Sequence, residues 1–163
     1  MTNTENLPAR DAEHAAGFQA TGLAAPPARK LAVLACMDAR LDPARALGLR
    51  PGDAHVIRNA GGVVTEDAIR SLVISQRLLG TEEIVLIHHT GCGMLTFEDD
   101  AVLSQIEAEV GTRPDFALHS FPDLDENVRQ SVAAVRANPY LPRTDSVRGF
   151  VYDIETGALR EVA

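Results

Sequence analysis

The stretch 31-LAVLACMDAR-40 begins with an uninterrupted apolar run and ends with alternating polar side chains. The apolar run, 31–37, predicts a strand that is buried on both faces, as in a parallel sheet covered by helices. Cys36, Asp38 and Arg40 follow at every second position where that strand ends. Because buried polar groups cost free energy unless something binds them, these three side chains mark a candidate site.

Apolar strands and amphipathic segments alternate along the rest of the chain. The pattern predicts further strands at 54–58 and 83–88, and helices at 42–47, 66–79, 98–109 and 123–137. A last hairpin is expected from 147–153 and 158–162 around the turn 155–157. The sequence therefore predicts an α/β fold with a mainly parallel central sheet flanked by helices and an antiparallel C-terminal edge hairpin.

The chain divides into two parts by composition. Residues 1–29 are polar and rich in Ala and Pro, and we interpret them as an N-terminal arm with a short helix around 11–20 that packs on a partner subunit. Residues 30–163 form a single α/β domain in this interpretation, and this domain carries the candidate site. A total of 163 residues is enough to bury a core in one domain.

Composition and charge exclude several classes of partner. A net charge of −8 argues against a nucleic-acid-binding protein, and 4% aromatic residues without Trp argue against a base-stacking surface. The chain lacks an apolar run near the roughly 18 residues of a membrane helix, so no membrane partner is expected. The start of the chain lacks the pattern of a secretory signal, and a cytoplasmic location is expected.

A second cluster of polar side chains follows the predicted strand 83–88. His88, His89 and Cys92 lie there, and Cys92 stands between glycines. Because sites form beyond the carboxyl ends of neighbouring strands, we expect Cys36, His89 and Cys92 to meet. Two thiolates and an imidazole are a zinc-type ligand set, and three protein ligands leave a fourth position open, as in catalytic sites.

The choice between the two histidines depends on strand geometry. Successive side chains of a strand point to opposite faces, so His88 and His89 cannot easily both face one metal ion. The H-x-x-C spacing at the loop favours His89 over His88 as the ligand. His88 is interpreted as a histidine of the pocket wall, with a role in proton transfer as the alternative.

The pair Asp38 and Arg40 is suited to controlling water at such a metal. An arginine fork can hold a carboxylate through two hydrogen bonds, so Asp38 would stay ionised and could orient a zinc-bound hydroxide. If Arg40 released it, Asp38 could take the fourth position on zinc; a purely structural ion pair is the remaining alternative. Two thiolates cancel the formal charge of zinc, which predicts a rate that rises on the alkaline side of neutral.

Four segments, CMDAR, RNAGG, HHTGCG and the ending RGFVYDIETGALREV, occur in an order and spacing that resemble the β-class carbonic anhydrases, in particular the short bacterial type. The resemblance implies one zinc ion per subunit on Cys36, His89 and Cys92, and a catalytic pair of Asp38 and Arg40. It implies hydration of CO2 to bicarbonate and a proton by zinc-bound hydroxide. It also implies a homodimer, with a homotetramer as the larger assembly.

The substrate is expected in a small apolar pocket beside the zinc. Ala39, Gly61 and Gly62 are the predicted substrate-binding residues, because the Asn59–Gly62 segment brings backbone close to the metal. Val63, Val64 and Leu95 are expected to help line the pocket. A phosphate loop at the two glycines is a weaker interpretation, because no lysine follows as in P-loops.

Three other functions use the same residues. A related zinc hydrolase could act on carbonyl sulfide or carbon disulfide with the same ligand set. A catalytically silent, zinc-binding or bicarbonate-sensing dimer would keep Asp38 on the metal. A thiol redox protein would need a reversible disulfide between Cys36 and Cys92, which lack the C-x-x-C arrangement.

Overall fold

One mixed sheet organises the part of the chain that this computed structural model describes, residues 3–18 and 20–163. The strand order is β2-β1-β3-β4-β5; the first four strands are parallel, and β5 pairs antiparallel with β4 at the edge. This confirms the predicted fold class. The strands are β1 Leu31–Cys36, β2 Ala54–Asn59, β3 Glu83–His89, β4 Val147–Tyr152 and β5 Leu159–Glu161.

Side chains cap the starts of three helices, through Asp42, Thr65 and Asp123. The Thr65 hydroxyl accepts a hydrogen bond from the Ala68 N–H at 3.2 Å, and the Asp123 carboxylate accepts one from the Glu126 N–H at 2.8 Å. None of the described helices is long and apolar enough to span a bilayer. The helices are α1 Leu7–Ala16, α2 Pro43–Ala46, α3 Glu66–Arg77, α4 Asp99–Val110 and α5 Leu124–Arg136, with 3₁₀ turns at Ala60–Gly62 and Gly93–Leu95.

The N-terminal helix lies four residues earlier than the predicted span of 11–20, and residue 19 of that span lies outside the described residues. Pro8 occupies the first turn, where a missing N–H costs nothing, and Gly17 follows the last turn. The described side chains of α1 are exposed. Just before the predicted domain begins at residue 30, the N–H groups of Ala28 and Arg29 donate to the carbonyl oxygens of Gly52 and Asp53.

The β1 side chains alternate between two apolar layers, which explains the continuous apolar run. Ala32 and Leu34 pack in the layer that contains α3 and α5, and Val33 and Ala35 pack in the layer on the opposite face. All four side chains are fully buried. The strand therefore cannot shift without exposing one of these layers, and its carboxyl end is held in place.

Asp99, at the start of α4, holds the segment 118–120 in place. The Asp99 carboxylate accepts hydrogen bonds from the backbone N–H groups of Leu118, His119 and Ser120 at 3.0, 2.8 and 2.8 Å. His119 has a φ of 62°, in the left-handed region that is unfavourable for residues other than glycine. Hydrogen bonds from the Ser120 hydroxyl and from these amides lower the pKa of Asp99.

Replacing Asp99 with alanine should lower the free energy of unfolding by about 1–3 kcal/mol, because three N–H groups lose a charged acceptor. Since the pKa of Asp99 is lowered on folding, this stabilisation is present above the unfolded pKa of ~3.9 and is lost as the pH falls through the folded pKa. Urea unfolding at about pH 7 and about pH 3 should show that the difference in unfolding free energy between the wild type and Asp99→Ala is smaller at the acid pH. Asp100→Ala is the matched control: it removes an exposed ion pair with Arg113 and should cost less than about 1 kcal/mol. Equal losses for both variants would contradict the assignment.

Candidate metal centre

The carboxyl ends of β1 and β3 lie side by side and bring the predicted ligands together. Ala35 pairs with Ile87 in the parallel ladder, so Cys36 and His89 end neighbouring strands. Cys92 returns to them after a short turn. The ligand atoms of Cys36, His89 and Cys92 lie within 4.8 Å of one another, and all three residues are buried. The structure thus joins the three residues that the sequence grouped.

The turn between His89 and Cys92 depends on a glycine. Gly91 has a φ of 62°, which lets the chain reverse within two residues. After Cys92 the backbone closes a 3₁₀ turn, in which the Leu95 N–H donates to the Cys92 carbonyl at 3.2 Å. The Cys92 side chain is therefore held facing the strand ends.

The two neighbouring histidines point to opposite faces of the sheet, as the alternation predicts. His89 Nε2 lies 3.2 Å from Cys36 Sγ, and its Nδ1 lies 2.9 Å from the Thr90 carbonyl oxygen. A proton on Nδ1 donates to that carbonyl and leaves the Nε2 lone pair for a metal ion. His88 is fully buried on the other face, with Nε2 2.8 Å from Oδ1 of Asn127 in α5.

The donor set fits zinc. A hydrogen bond from the Cys92 thiol lowers the pKa of Cys36, which favours a thiolate there. Two sulfurs and one imidazole nitrogen in a buried cluster match the borderline-soft preference of zinc better than that of calcium or magnesium. The residues present therefore fit a zinc ion.

Asp38 lies beside this cluster, and Arg40 binds the Asp38 carboxylate. Arg40 Nε donates to Asp38 Oδ1 at 2.9 Å, and Arg40 Nη2 donates to Oδ2 at 2.7 Å. Asp38 Oδ2 is also 3.6 Å from His89 Nε2. The hydrogen bonds from Arg40 keep the pKa of Asp38 well below its usual range. The carboxylate is therefore ionised and adjacent to the metal ligands.

Arg58 is a site residue that the sequence reasoning missed. Its guanidinium donates to the Cys36 carbonyl at 2.9 and 3.0 Å, to the Asp38 carbonyl at 2.7 Å and to the Leu41 carbonyl at 2.8 Å. These bonds fold the chain after β1 around one cation, which sets where Asp38 stands. The only sequence signal was its position at the head of the RNAGG segment.

A cavity of about 300 Å³ opens at the cluster. Gly61 lines it, whereas Ala39 and Gly62 are not among the described lining residues; Ala39 is exposed, and Gly62 is buried behind the wall. Val63 is buried in the adjacent apolar layer, and Val64 lines a different cavity. The lining residues are Cys36, Met37, Asp38, Ala60, Gly61, His89, Cys92, Gly93, Met94 and Phe97.

Gly62 packs against the strand ends that carry the metal ligands. Its φ is +69°, and a Cβ there would lie 2.8 Å from the Cys36 nitrogen and 2.9 Å from the Ile87 carbonyl oxygen. Glycine thus allows the loop after β2 to contact the backbone of β1 and β3 directly. The close approach expected for this loop is present, and its partner is the backbone of both strands.

Comparisons with known proteins agree with this geometry. A family model described as carbonic anhydrase matches residues 31–159. β-Carbonic anhydrase 1 of Mycobacterium tuberculosis is 54% identical over 162 residues, which are 99% of this chain and 99% of that protein. A carbonic anhydrase structure from Glaciozyma antarctica superposes with a TM-score of 0.93 at 43% identity and covers 100% of both chains.

A relative with a different described activity has diverged further. A carbon disulfide hydrolase of Acidithiobacillus thiooxidans is 38% identical over 152 residues, which are 81% of this chain and 76% of that protein. The match to the mycobacterial protein is both closer and more complete than this one. With the motifs, the fold and the ligand cluster in agreement, this chain belongs to the β-carbonic anhydrase family.

Proposed function

We propose that this chain catalyses the reversible hydration of CO2 to bicarbonate and a proton with one zinc ion per subunit. The observation that carries the proposal is the Cys36, His89 and Cys92 cluster beside an aspartate that Arg40 holds ionised. The close relationship to a β-carbonic anhydrase over the whole chain supports the same reaction.

Cys36, His89 and Cys92 would hold the zinc ion. A bound zinc ion would acidify water and so supply a nucleophile. Because two thiolates cancel the formal charge of zinc, the pKa of that water would stay above the value of about 7 found at three-histidine sites. The Thr90 carbonyl keeps the His89 ring in place through Nδ1. The burial of all three ligands excludes competing water from their far side.

Asp38 would orient the reacting water, and Arg40 would orient Asp38. An ionised carboxylate only accepts hydrogen bonds, so Asp38 fixes where a proton of the water points and therefore where its lone pair points. Arg40 binds both carboxylate oxygens, which limits rotation of the group. The apolar wall at Ala60, Met94 and Phe97 suits CO2, which is itself apolar.

The rate of CO2 hydration should rise from about pH 6.5 to about pH 9 in the zinc-loaded protein. Asp38 should add no step within this range, because Arg40 holds the pKa of that carboxyl well below its usual value and it stays ionised throughout. Stopped-flow hydration with a pH indicator, on protein of measured zinc content, tests the profile.

Asp38→Asn gives the matched comparison for that profile. The amide keeps the shape of the side chain and loses the negative charge, so turnover should fall at every pH, by about 10–100-fold, as for other residues that support a metal site. Unchanged turnover in Asp38→Asn would remove Asp38 from the mechanism. A background rate in zinc-loaded wild-type protein at all pH values would contradict the proposed reaction.

Carbon disulfide is the second candidate substrate. Its support is the 38% identity to a carbon disulfide hydrolase, a member of the same family. Sulfide release from carbon disulfide, measured beside CO2 hydration on one preparation, decides between the two substrates. A higher kcat/KM for carbon disulfide would favour this second function.

We also propose a homodimer, with a homotetramer as the larger assembly. The support in this chain is the arm: α1 exposes its described side chains, and apolar Leu7, Phe18 and Leu23 are each about half exposed. Sedimentation should give at least twice the monomer mass, and a monomer would contradict the proposal. A cytoplasmic location, expected from the first residues, remains part of the proposal.

A further inference from the structure

The backbone carbonyls of Thr90 and Gly91 contact both halves of the metal site. The Thr90 carbonyl accepts from Nδ1 of the ligand His89 at 2.9 Å. The next carbonyl, that of Gly91, accepts from Arg40 Nη2 at 3.2 Å. One short backbone segment therefore orients a metal ligand and the arginine that holds Asp38.

The hairpin between β4 and β5 fixes this segment from the other side. The Thr90 N–H donates to the Tyr152 carbonyl at 2.9 Å, which extends the β3–β4 ladder by one bond. The Ile154 N–H then donates to the Thr90 hydroxyl oxygen at 3.1 Å. Ile154 Cδ1 also lies over Gly91, where a Cβ would come within 3.3 Å of it. Within residues 3–18 and 20–163, the bond to the Thr90 hydroxyl is the one hydrogen bond between the hairpin and this segment that involves a side chain.

The hairpin is a firm support because its own bonds hold its shape. Asp153 Oδ1 accepts from the backbone N–H groups of Glu155 and Thr156 at 2.9 and 2.8 Å, which closes the turn. On β5, Arg160 binds both carboxylate oxygens of Asp125 in α5 at 2.7 and 2.9 Å. Strand β5, which follows the turn, is therefore attached to α5 independently of Thr90.

We propose that Thr90 is a positioning residue that couples the C-terminal hairpin to the metal site through its hydroxyl. This inference rests on the proposed zinc-dependent function. By anchoring the turn before Cys92, the hydroxyl holds two carbonyls where His89 and Arg40 need them. Thr90 belongs neither to the ligand cluster nor to the residues that line the cavity, so it acts through His89 and Arg40.

Thr90→Val is the direct test, because valine has the shape of threonine and lacks the acceptor oxygen. Zinc loss from the loaded protein to an excess of chelator should become about 10-fold faster, with a comparable fall in kcat. Thr90→Ser restores an acceptor and should return both values close to those of the wild type. Thr156→Val removes a hydroxyl from the same hairpin turn, where it accepts from the Ala158 N–H and donates to the Asp153 carboxylate, and should leave zinc loss unchanged.

The melting temperature separates positioning from simple stability. A role in stability alone would lower the melting temperature of Thr90→Val and leave the rate of zinc loss and kcat at wild-type values, which would overturn the proposal. Equal effects of Thr90→Val and Thr156→Val, or no rescue by Thr90→Ser, would also overturn it. Wild-type protein that binds no zinc would instead contradict the proposed function and, with it, this inference.

Discussion

Cys92→Ser is expected to abolish stoichiometric zinc binding and to reduce CO2 hydration to the background rate. The variant leaves only Cys36 and His89 of the three clustered ligands, and a serine hydroxyl is a poor substitute for a thiolate on zinc. The loss of activity should exceed the about 10–100-fold loss that follows when a residue that only supports the metal ligands is replaced. Metal analysis after dialysis, together with stopped-flow hydration, measures both effects.

His89→Ala should have the same effect for the same reason, although His89 lies on β3 rather than on the loop. Thr96→Ser is the matched control in the Cys92 loop, because it keeps the hydroxyl that donates to the Gly93 carbonyl at 2.7 Å. The control should retain zinc and activity. Zinc at one ion per chain in both Cys92→Ser and His89→Ala would refute the ligand assignment.

Gly62→Ala is expected to lower the free energy of unfolding by about 2–5 kcal/mol and to weaken zinc binding. The new Cβ would lie only 2.8–3.0 Å from three backbone atoms, the Cys36 nitrogen, the Ile87 oxygen and the Ala35 carbonyl carbon. Backbone atoms in a sheet cannot rotate away, so β1 and β3 would have to separate next to Cys36 and His89. Thermal or urea unfolding and zinc affinity measure the two consequences.

Gly48→Ala separates the crowding from the backbone strain in that prediction. Gly48 also has a positive φ, +60°, but a Cβ there would meet nothing within 4 Å. This control should cost only about 1–2 kcal/mol, the cost of the left-handed conformation, and should leave zinc affinity unchanged. Equal losses of stability in the two variants would show that the contact at Gly62 is not what restricts that position to glycine.

Several features could be predicted from the sequence because local patterns determine them. The continuous apolar run of β1 indicated a strand buried on both faces, and the structure has fully buried side chains in both layers. The alternation of side chains placed His88 and His89 on opposite faces, as observed. The motif order indicated the family, which the comparisons confirm.

The limits of the sequence reasoning are equally specific. The predicted helix in the arm was displaced by four residues, because Pro8 and Gly17 set its ends more strongly than the weak apolar pattern did. Ala39 and Gly62 stay predictions as substrate contacts, because the described cavity lining includes Gly61 and neither of these two. Spacing along a chain shows which residues are near a site, but not which side of the backbone faces the cavity.

The sequence by itself determined the order of strands and helices, the family and the candidate ligands, because each follows from local spacing or from a motif. Only the tertiary structure revealed that Arg58 binds three carbonyls, which backbone atoms Gly62 contacts, and that Thr90 bonds to both the hairpin and His89. The physical reason is that these are contacts to backbone atoms of distant segments. Backbone groups are the same at every residue, so such contacts leave no pattern in the sequence.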